Sequence, residues 1–568
     1  MARLSTADSM RLTKLALDRW RRRTVSHALY SPLLKWRYGS TIADQLLIVP
    51  QDLATPDPSF WREIEVGQFG LAGCLAVVDD KSPFEVPPPS DGWLATLHGF
   101  SWLRHLEAAD DPRARDRARE LVVDWIKRHK GGSGIPWQTD VTGRRLISWI
   151  THAPLLLEAA DPKTYDTITE SLGFQVVRLS ATWRDAPPGL PRLTALIAVT
   201  LADLAIAGHQ RRLDDAERAL SEELNNQILP DGGHISRNPA VLVDLMLDLL
   251  PLAQCFKPRQ RKPPEVLSSA IDRSLTMLRY LRMGDGLLAR FNGAGAGSPA
   301  GLATVLAYDD ITEGELTQAE ARHSGYARLS LDKTIIIVDV GCPPALEYAA
   351  QAHAGALSFE LSVGKNLVFV NGGAPSYADS EWRTASRATA AHNTLRLGEK
   401  SSSKLVRHKL FKDLVGAMPI RYPTKVDHQL LKTDGDIQLK ASHNGYNTRF
   451  GLVHHRELTL SKNGLRLDGL DRIDGPGYSV RLRQDLPFSI HFHAHTDVVI
   501  EEMEGSKAGA LLVLPDDSIW QFEVDGAELG IEDSVFFADT SGATRTQQIV
   551  LRGATFGETQ VRWSLFAQ

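Results

Sequence analysis

The sequence predicts a two-domain α+β chain, an α/α toroid (an incomplete helical barrel) followed by an antiparallel β-sandwich, and three observations carry that prediction. A chain of 568 residues is longer than one hydrophobic core supports. From about residue 94 to residue 283, apolar side chains recur at helical spacing with only short Pro, Gly and Asp breaks. Beyond that the pattern changes to short runs that alternate or are rich in β-branched residues, each ending on Gly, Asp or Asn. The change falls at the glycine-rich stretch GDGLLARFNGAGAGSPAG, giving a helical domain over residues 1–300 and a sandwich over 301–568.

The elements follow in order. Residues 1–45 are rich in Arg and Lys and read as a basic amphipathic helix over about 7–36, docked on the body or able to touch an anionic surface. The triplet Arg21-Arg22-Arg23 is followed by Thr-Val-Ser-His, not by an apolar run, so no export signal or membrane-spanning segment is expected. Helices follow at LATLHGFSWLRHLEAA, RARDRARELVVDWIKRH and RRLISWITHAPLLLEAA, then at RLTALIAVTLADLAIAG, AERALSEELNNQIL, AVLVDLMLDLLPLAQCF and VLSSAIDRSLTMLRYLRM. Asp111-Pro112 and Asp161-Pro162 are helix starts, because Asp caps and proline fits the first turn. Helices joined by short loops stack as antiparallel pairs curving into an arc. In the second half TIIIVDVG, ALSFELSVG, NLVFVNGG, VHHRELTLS, GLRLDGL and QQIVLRG are strands, and Lys462-Asn463-Gly464 is a hairpin turn.

Bulk properties exclude some function classes. The formal net charge of −5 offers no basic field for nucleic acid. Three cysteines, Cys74, Cys255 and Cys342, lie far apart and read as buried free thiols. The run Gly293-Ala294-Gly295-Ala296-Gly297 lacks the Lys-Ser/Thr of a phosphate loop, so no nucleotide cofactor is expected. His491, His493 and His495 alternate along one strand and read as one buried, hydrogen-bonded face.

One stretch carries more than fold. Residues 351–398 contain His353, Ser358-Phe359, Asn371-Gly372-Gly373, Tyr377, Arg383 and Arg387-Ala388-Thr389-Ala390-Ala391-His392-Asn393-Thr394. This resembles the C-terminal signature of the heparinase II/III-like polysaccharide lyases. Trp137 with Thr142-Gly143-Arg144-Arg145 and Trp149 resembles the toroid motif of that family, Asp231-Gly232-Gly233-His234 its loop, and Phe488 to His495 its late strand.

The resemblance implies cleavage of a uronate-containing polysaccharide by β-elimination. That reaction needs a group to neutralise the carboxylate, a base for the C5 proton and an acid for the departing oxygen. Tyr377 matches a family tyrosine able to move protons. The toroid departs from the pattern: Pro191-Arg192 stands where relatives carry Asn-His, Asn238-Pro239-Ala240 replaces their tyrosine-bearing run, and Gln351 stands where some carry a catalytic His. Arg192 is therefore proposed as the neutraliser and His234 as acid or base. Trp102, Trp137, Arg145, Arg383 and Arg387 are proposed to contact the polysaccharide.

His353, Asn371 and His392 fall on family metal positions, implying zinc, with Asn371 in place of the usual Asp. The expected partner is an acidic polysaccharide or oligosaccharide, and a homodimer is one possible assembly. Localisation is read as cytoplasmic from the residues and as cell envelope or periplasm from the resemblance. Two other readings stand beside the lyase. One is a non-catalytic acidic-polysaccharide-binding or scaffold protein that keeps the fold. The other is a glycoside hydrolase, which would need two carboxylates in one cleft; Asp140, Asp185 and Asp231 are available.

Overall fold

A computed structural model describes residues 43–568 except 44, 80, 131, 310–319, 376–379, 407–415, 476–484, 504–508 and 556–557, together with residues 10, 13, 14, 16, 17, 20 and 21. Most of the basic N-terminal segment, and Tyr377, lie outside the described residues.

In chain order the helices of the first half are α1 (Ser59–Glu65), α2 (Asp91–Gly99), α3 (Leu103–Ala108), α4 (Pro112–Arg128), α5 (Thr139–Thr151), α6 (Ala153–Leu157) and α7 (Pro162–Thr182). They continue as α8 (Leu190–Ala205), α9 (Gln210–Gln227), α10 (Pro239–Gln254), α11 (Glu265–Tyr280) and α12 (Pro299–Leu306). The sequence sets several starts: the Asp111 carboxylate accepts from Arg113 N–H, and Asp161 accepts from Lys163 and Thr164 N–H, each with proline in the first turn. α5 packs on α2, α7 and α8, and α8 in turn on α9 and α10, which pairs with α11. The succession of inner helices α2, α5, α8 and α10 backed by outer ones is the expected α/α arc. The stretch Pro239–Arg259, which includes α10, is long and apolar enough to cross a membrane, but its window is 72% buried, as in a core helix.

The second half is antiparallel throughout its described pairs. Its largest sheet has eight strands ordered Val426–Thr433, Asp436–His443, Val453–Leu460, Arg466–Asp474, Thr559–Ala567, Ile519–Asp525, Gly509–Val513 and Val499–Glu502. A five-stranded sheet runs from Glu320–Ala321 to Asn366–Phe369, and a four-stranded sheet joins Glu528–Asp539, Gly542–Thr555, Leu486–His493 and Leu395–Leu397. Ile336, Leu361, Leu458, Phe492 and Trp563 draw the sheets into one apolar cluster. The Asn463-Gly464 turn joins Val453–Leu460 to Arg466–Asp474 as expected, with Gly464 at φ +68°. His491 and His493 stack at 5.9 Å and bond to Gln548 and Ser534 as the alternation predicted, but His495 lies beyond the strand, half-buried beside Asp497.

Three details differ from expectation. Gln68–Leu71 and Cys74–Val77 form a small hairpin inside the helical half. α12 crosses residue 300, so helix extends to Leu306. Only Cys255 is a buried thiol; Cys74 is half-buried and Cys342 exposed.

The two halves meet at a polar seam. Arg237, in the loop before α10, donates to the carbonyls of Ser324, Gly325, Gly341 and Cys342 and pairs with Asp339 at 2.5 Å. Asp231 accepts from Ser324 N–H and Oγ–H, and Asn238 Nδ2 donates to Gln351 Oε1 at 2.9 Å.

Candidate functional site

The inner faces of α2, α5, α8 and α10 enclose a cleft of about 540 Å³. Asp140 and Arg144 lie one turn apart on α5, and Asp244 and Asp248 one turn apart on α10. Arg144 closes a bidentate pair with Asp248, both bonds 2.7 Å, tying the two helices across the cleft. Arg104 holds Asp52 at 3.2 Å on the rim. Arg144 is therefore committed to a carboxylate, and Arg104 faces Asp52 as an ion pair whose Nε makes no hydrogen bond, whereas Asp140 and Asp244 have no cationic partner in contact among the described residues. Burial pushes Asp244 up to about 6, with the Asp248 charge adding to it and Arg144 opposing it. Burial also raises Asp140. Four carboxyl groups against two paired guanidiniums make this a cleft for hydroxyl-rich or cationic groups.

The residues proposed as acid, base and neutraliser lie elsewhere. His234 is 2% exposed. Its Nδ1 accepts from Ser236 N–H at 3.1 Å, which makes Nε2 the protonated nitrogen, donating to Gln227 Oε1 at 2.9 Å. No lone pair is left for a substrate, and burial pushes the imidazole down to about 4. Gln227 passes the network on to Gly189 O and Glu223. Arg192 belongs to the same support: Nη2 donates to Ala186 O at 3.0 Å and Nη1 lies 3.8 Å from Glu223. It does not line the cleft, although Leu190, Pro191 and Thr194 beside it do. His234 and Arg192 brace the turn into α8 and do not line the cleft, unlike the acid or base and the neutraliser that the sequence suggested.

The proposed sugar contacts are also redistributed. Trp102 is 1% and Trp137 4% exposed, and their indoles donate to Leu97 O and His129 O, so both are core residues. Arg145 is fully buried, donating to Gln175, His98 O and Pro136 O, with its guanidinium 4.1 Å from the Trp125 ring. Neighbouring positions on a helix point about 100° apart, so Arg144 meets the cleft while Arg145 enters the core. Arg387 is buried and donates to Ala352 O at 2.9 Å. Arg383 is exposed on the helix Ser380–Ser386, and Asp231 is consumed at the seam. The residues missed, Asp244 and Asp248, did leave a signal: two acids four apart in an otherwise apolar helix, PAVLVDLMLDLLPLAQ.

His353 and His392 come together as expected, with Nδ1 and Nε2 3.0 Å apart. His392 Nδ1 donates to Ala388 O, so its Nε2 accepts and His353 Nδ1 is the donor. Asn371 lies beside them, but its Oδ1 accepts from Asn393 N–H and its Nδ2 donates to Arg290 O. Zinc needs lone pairs from at least three such groups aimed at one point. His392 spends its lone pair on the His353 Nδ1–H and the Asn371 amide is engaged, which leaves His353 Nε2 as the one uncommitted imidazole lone pair of the set, so this donor set does not fit zinc. Among the described residues no group of three His, Cys, Asp or Glu does so. Elemental analysis of protein purified without chelator is expected to find no stoichiometric zinc; one zinc per chain would overturn this reading.

A model of the heparinase II/III-like C-terminal domain matches residues 314–564. FtsZ-localized protein C of Caulobacter vibrioides is 30% identical over 527 residues, spanning 91% of this chain and 89% of that protein. Among solved structures, Heparinase III superposes with a TM-score of 0.68 at 14% identity, over 87% of this chain and 80% of that one. The heparan sulfate lyase HepC from Pedobacter heparinus superposes with a TM-score of 0.58 at 15% identity, over 95% and 88%. At those identities the solved structures speak for the fold alone.

Proposed function

Because the chain belongs to the heparinase II/III-like family, we propose that it is a non-catalytic member, keeping the lyase scaffold as a binding platform at the site of FtsZ assembly. The observation that carries this reading is the cleft's charge. Uronate elimination needs a free cation or hydrogen-bond donor where the carboxylate sits, and removing one such donor typically costs about 10²–10³ in rate. Here Arg144 is already bonded to Asp248, Arg104 stands 3.2 Å from the Asp52 carboxylate, and an incoming uronate would face Asp140 and Asp244. His234, the toroid candidate for proton transfer, has both ring nitrogens in use. The link to FtsZ rests on the relative that shares 30% identity over nearly its whole length.

The lyase reading is favoured by the match over residues 314–564, which includes Tyr377. One experiment separates the two. Incubated with heparan sulfate and other uronate polymers, the purified protein is expected to yield no unsaturated uronate by far-ultraviolet absorbance, and to co-sediment with polymerised FtsZ. Accumulating product would overturn the non-catalytic part. A protein that stays in the supernatant with and without FtsZ polymers would overturn the division-site part.

A further inference from the structure

A second cavity, of about 360 Å³, lies between the helical half and the sandwich and shares no lining residue with the toroid cleft. At its edge stands Arg290, whose side chain is only 6% exposed. Its Nε and Nη1 make no hydrogen bond, and the nearest carboxylate oxygen, Glu360 Oε2, is 3.5 Å from Nη1. Burial pushes Glu360 up to about 7 against the pull of Arg290, and at 3.5 Å the two groups make no hydrogen bond. The guanidinium lies 5.2 Å from the centre of the Phe536 ring, which also lines the cavity. A buried cation with unused donors is costly unless something supplies an anion.

The rest of the wall is divided in character. Leu287, Pro299, Leu367 and Phe536 give it an apolar side. Asp285, Asp497 and Asp539 give it carboxylates, joined by Lys365 and His495. Each of the three acids makes a local contact, to Leu287 N–H, His495 and Ser541 respectively. None is in salt-bridge contact with a Lys or Arg among the described residues. A polyanion would be repelled by this ring, and a bare cation would meet Arg290.

We propose that this cavity binds a small zwitterion with an apolar side chain, of the amino-acid class. The ligand's carboxylate pairs with Arg290, its ammonium faces the aspartates, and its side chain lies on the apolar wall. Binding would bridge the two halves of the chain, because Arg290 and Asp285 come from one and Asp497 and Asp539 from the other.

Calorimetry with L-leucine, with isocaproate, which lacks the ammonium, and with isoamylamine, which lacks the carboxylate, tests this. L-leucine is expected to bind saturably and at least about tenfold more tightly than either analogue, a difference of about 1.4 kcal/mol. Arg290→Met is expected to abolish the leucine signal. The double variant Asp497→Asn/Asp539→Asn changes surface groups and serves if Arg290→Met does not fold; it should weaken leucine and leave isocaproate unchanged or tighter. No saturable leucine binding, isocaproate binding as tight as leucine, or leucine binding untouched in either variant would each overturn the proposal.

Discussion

Replacing Arg237 with alanine is expected to lower the stability of the chain by about 3–5 kcal/mol, the cost of breaking a buried ion pair by deleting one partner. Arg237 lies between the halves, 6% exposed, with Asp339 equally enclosed. Its removal leaves that carboxylate without its cation and the carbonyls of Ser324, Gly325, Gly341 and Cys342 without their shared donor. Burial alone would lower the guanidinium's pKa; the charge and hydrogen bond of Asp339, with Tyr326 and Cys342 adding to them, together raise it. The seam is built to admit the side chain: a Cβ on Gly341 would lie 2.7 Å from Arg237 Nη2, and Gly325 holds φ +71°. Arg237→Lys should fall between, keeping the charge but losing the fork that reaches several carbonyls at once. Denaturant unfolding followed by tryptophan fluorescence, which reports mainly on the helical half, and by circular dichroism checks this. Loss of coincidence between the two probes would mark the halves parting before either unfolds. A change below about 1 kcal/mol for Arg237→Ala would mean that the seam does not depend on this residue.

The architecture was legible because its signals are local. Helical periodicity, the Asp-Pro caps at Asp111 and Asp161 and the Asn463-Gly464 turn each act within a few residues, and each stands where the sequence put it. The meeting of His353 with His392 was legible for another reason, since it came from a family pattern and not from local chemistry. What the sequence could not supply was the direction of individual side chains. Arg144 and Arg145 differ by one position, and only the packing of α5 against α2, α7 and α8 decides which enters the core. Trp102 and Trp137 were offered as sugar platforms, yet at helical spacing large aromatics more often fill a core, as both do here. His234 lies in a loop that matches the family, but its role depends on Gln227, a residue seven positions away that occupies its Nε2. The charge of the cleft depends on pairings between positions 104 residues apart, such as Arg144 with Asp248.

Asp471→Asn should produce a comparable loss, about 3–5 kcal/mol, and it should also remove a specific acid dependence. The Asp471 carboxylate is fully buried in the sandwich. Oδ1 accepts from Arg456 Nε at 2.8 Å and His454 Nε2 at 2.7 Å; Oδ2 accepts from Arg456 Nη2 and Trp563 Nε1, both at 3.0 Å. The protons can be followed outward. His454 Nε2 donates to Asp471, so its Nδ1 accepts from His443 Nε2–H, whose Nδ1 accepts from Gly445 N–H. Both imidazoles are thus neutral donors, in keeping with burial lowering their affinity for a second proton, and among the described residues Arg456 is the only charged group bonded to Asp471. An asparagine would turn an N–H₂ toward one of these donors and leave Arg456 buried without a counter-ion. Burial alone would raise the Asp471 carboxyl, but the Arg456 charge and the bonds from His454 and Arg456 hold it well below the usual carboxylate range. The sign follows: a depressed folded-state pKa stabilises the protein above the unfolded value, about 3.9, and that contribution is lost as pH falls toward the folded value. One such group changes stability by at most about 1.4 kcal/mol per pH unit. Below about pH 4, wild-type stability should therefore fall more steeply than that of Asp471→Asn, and the two curves should converge as acid protonates Asp471. Parallel curves between pH 5 and pH 2 would show that Asp471 does not carry this part of the acid sensitivity.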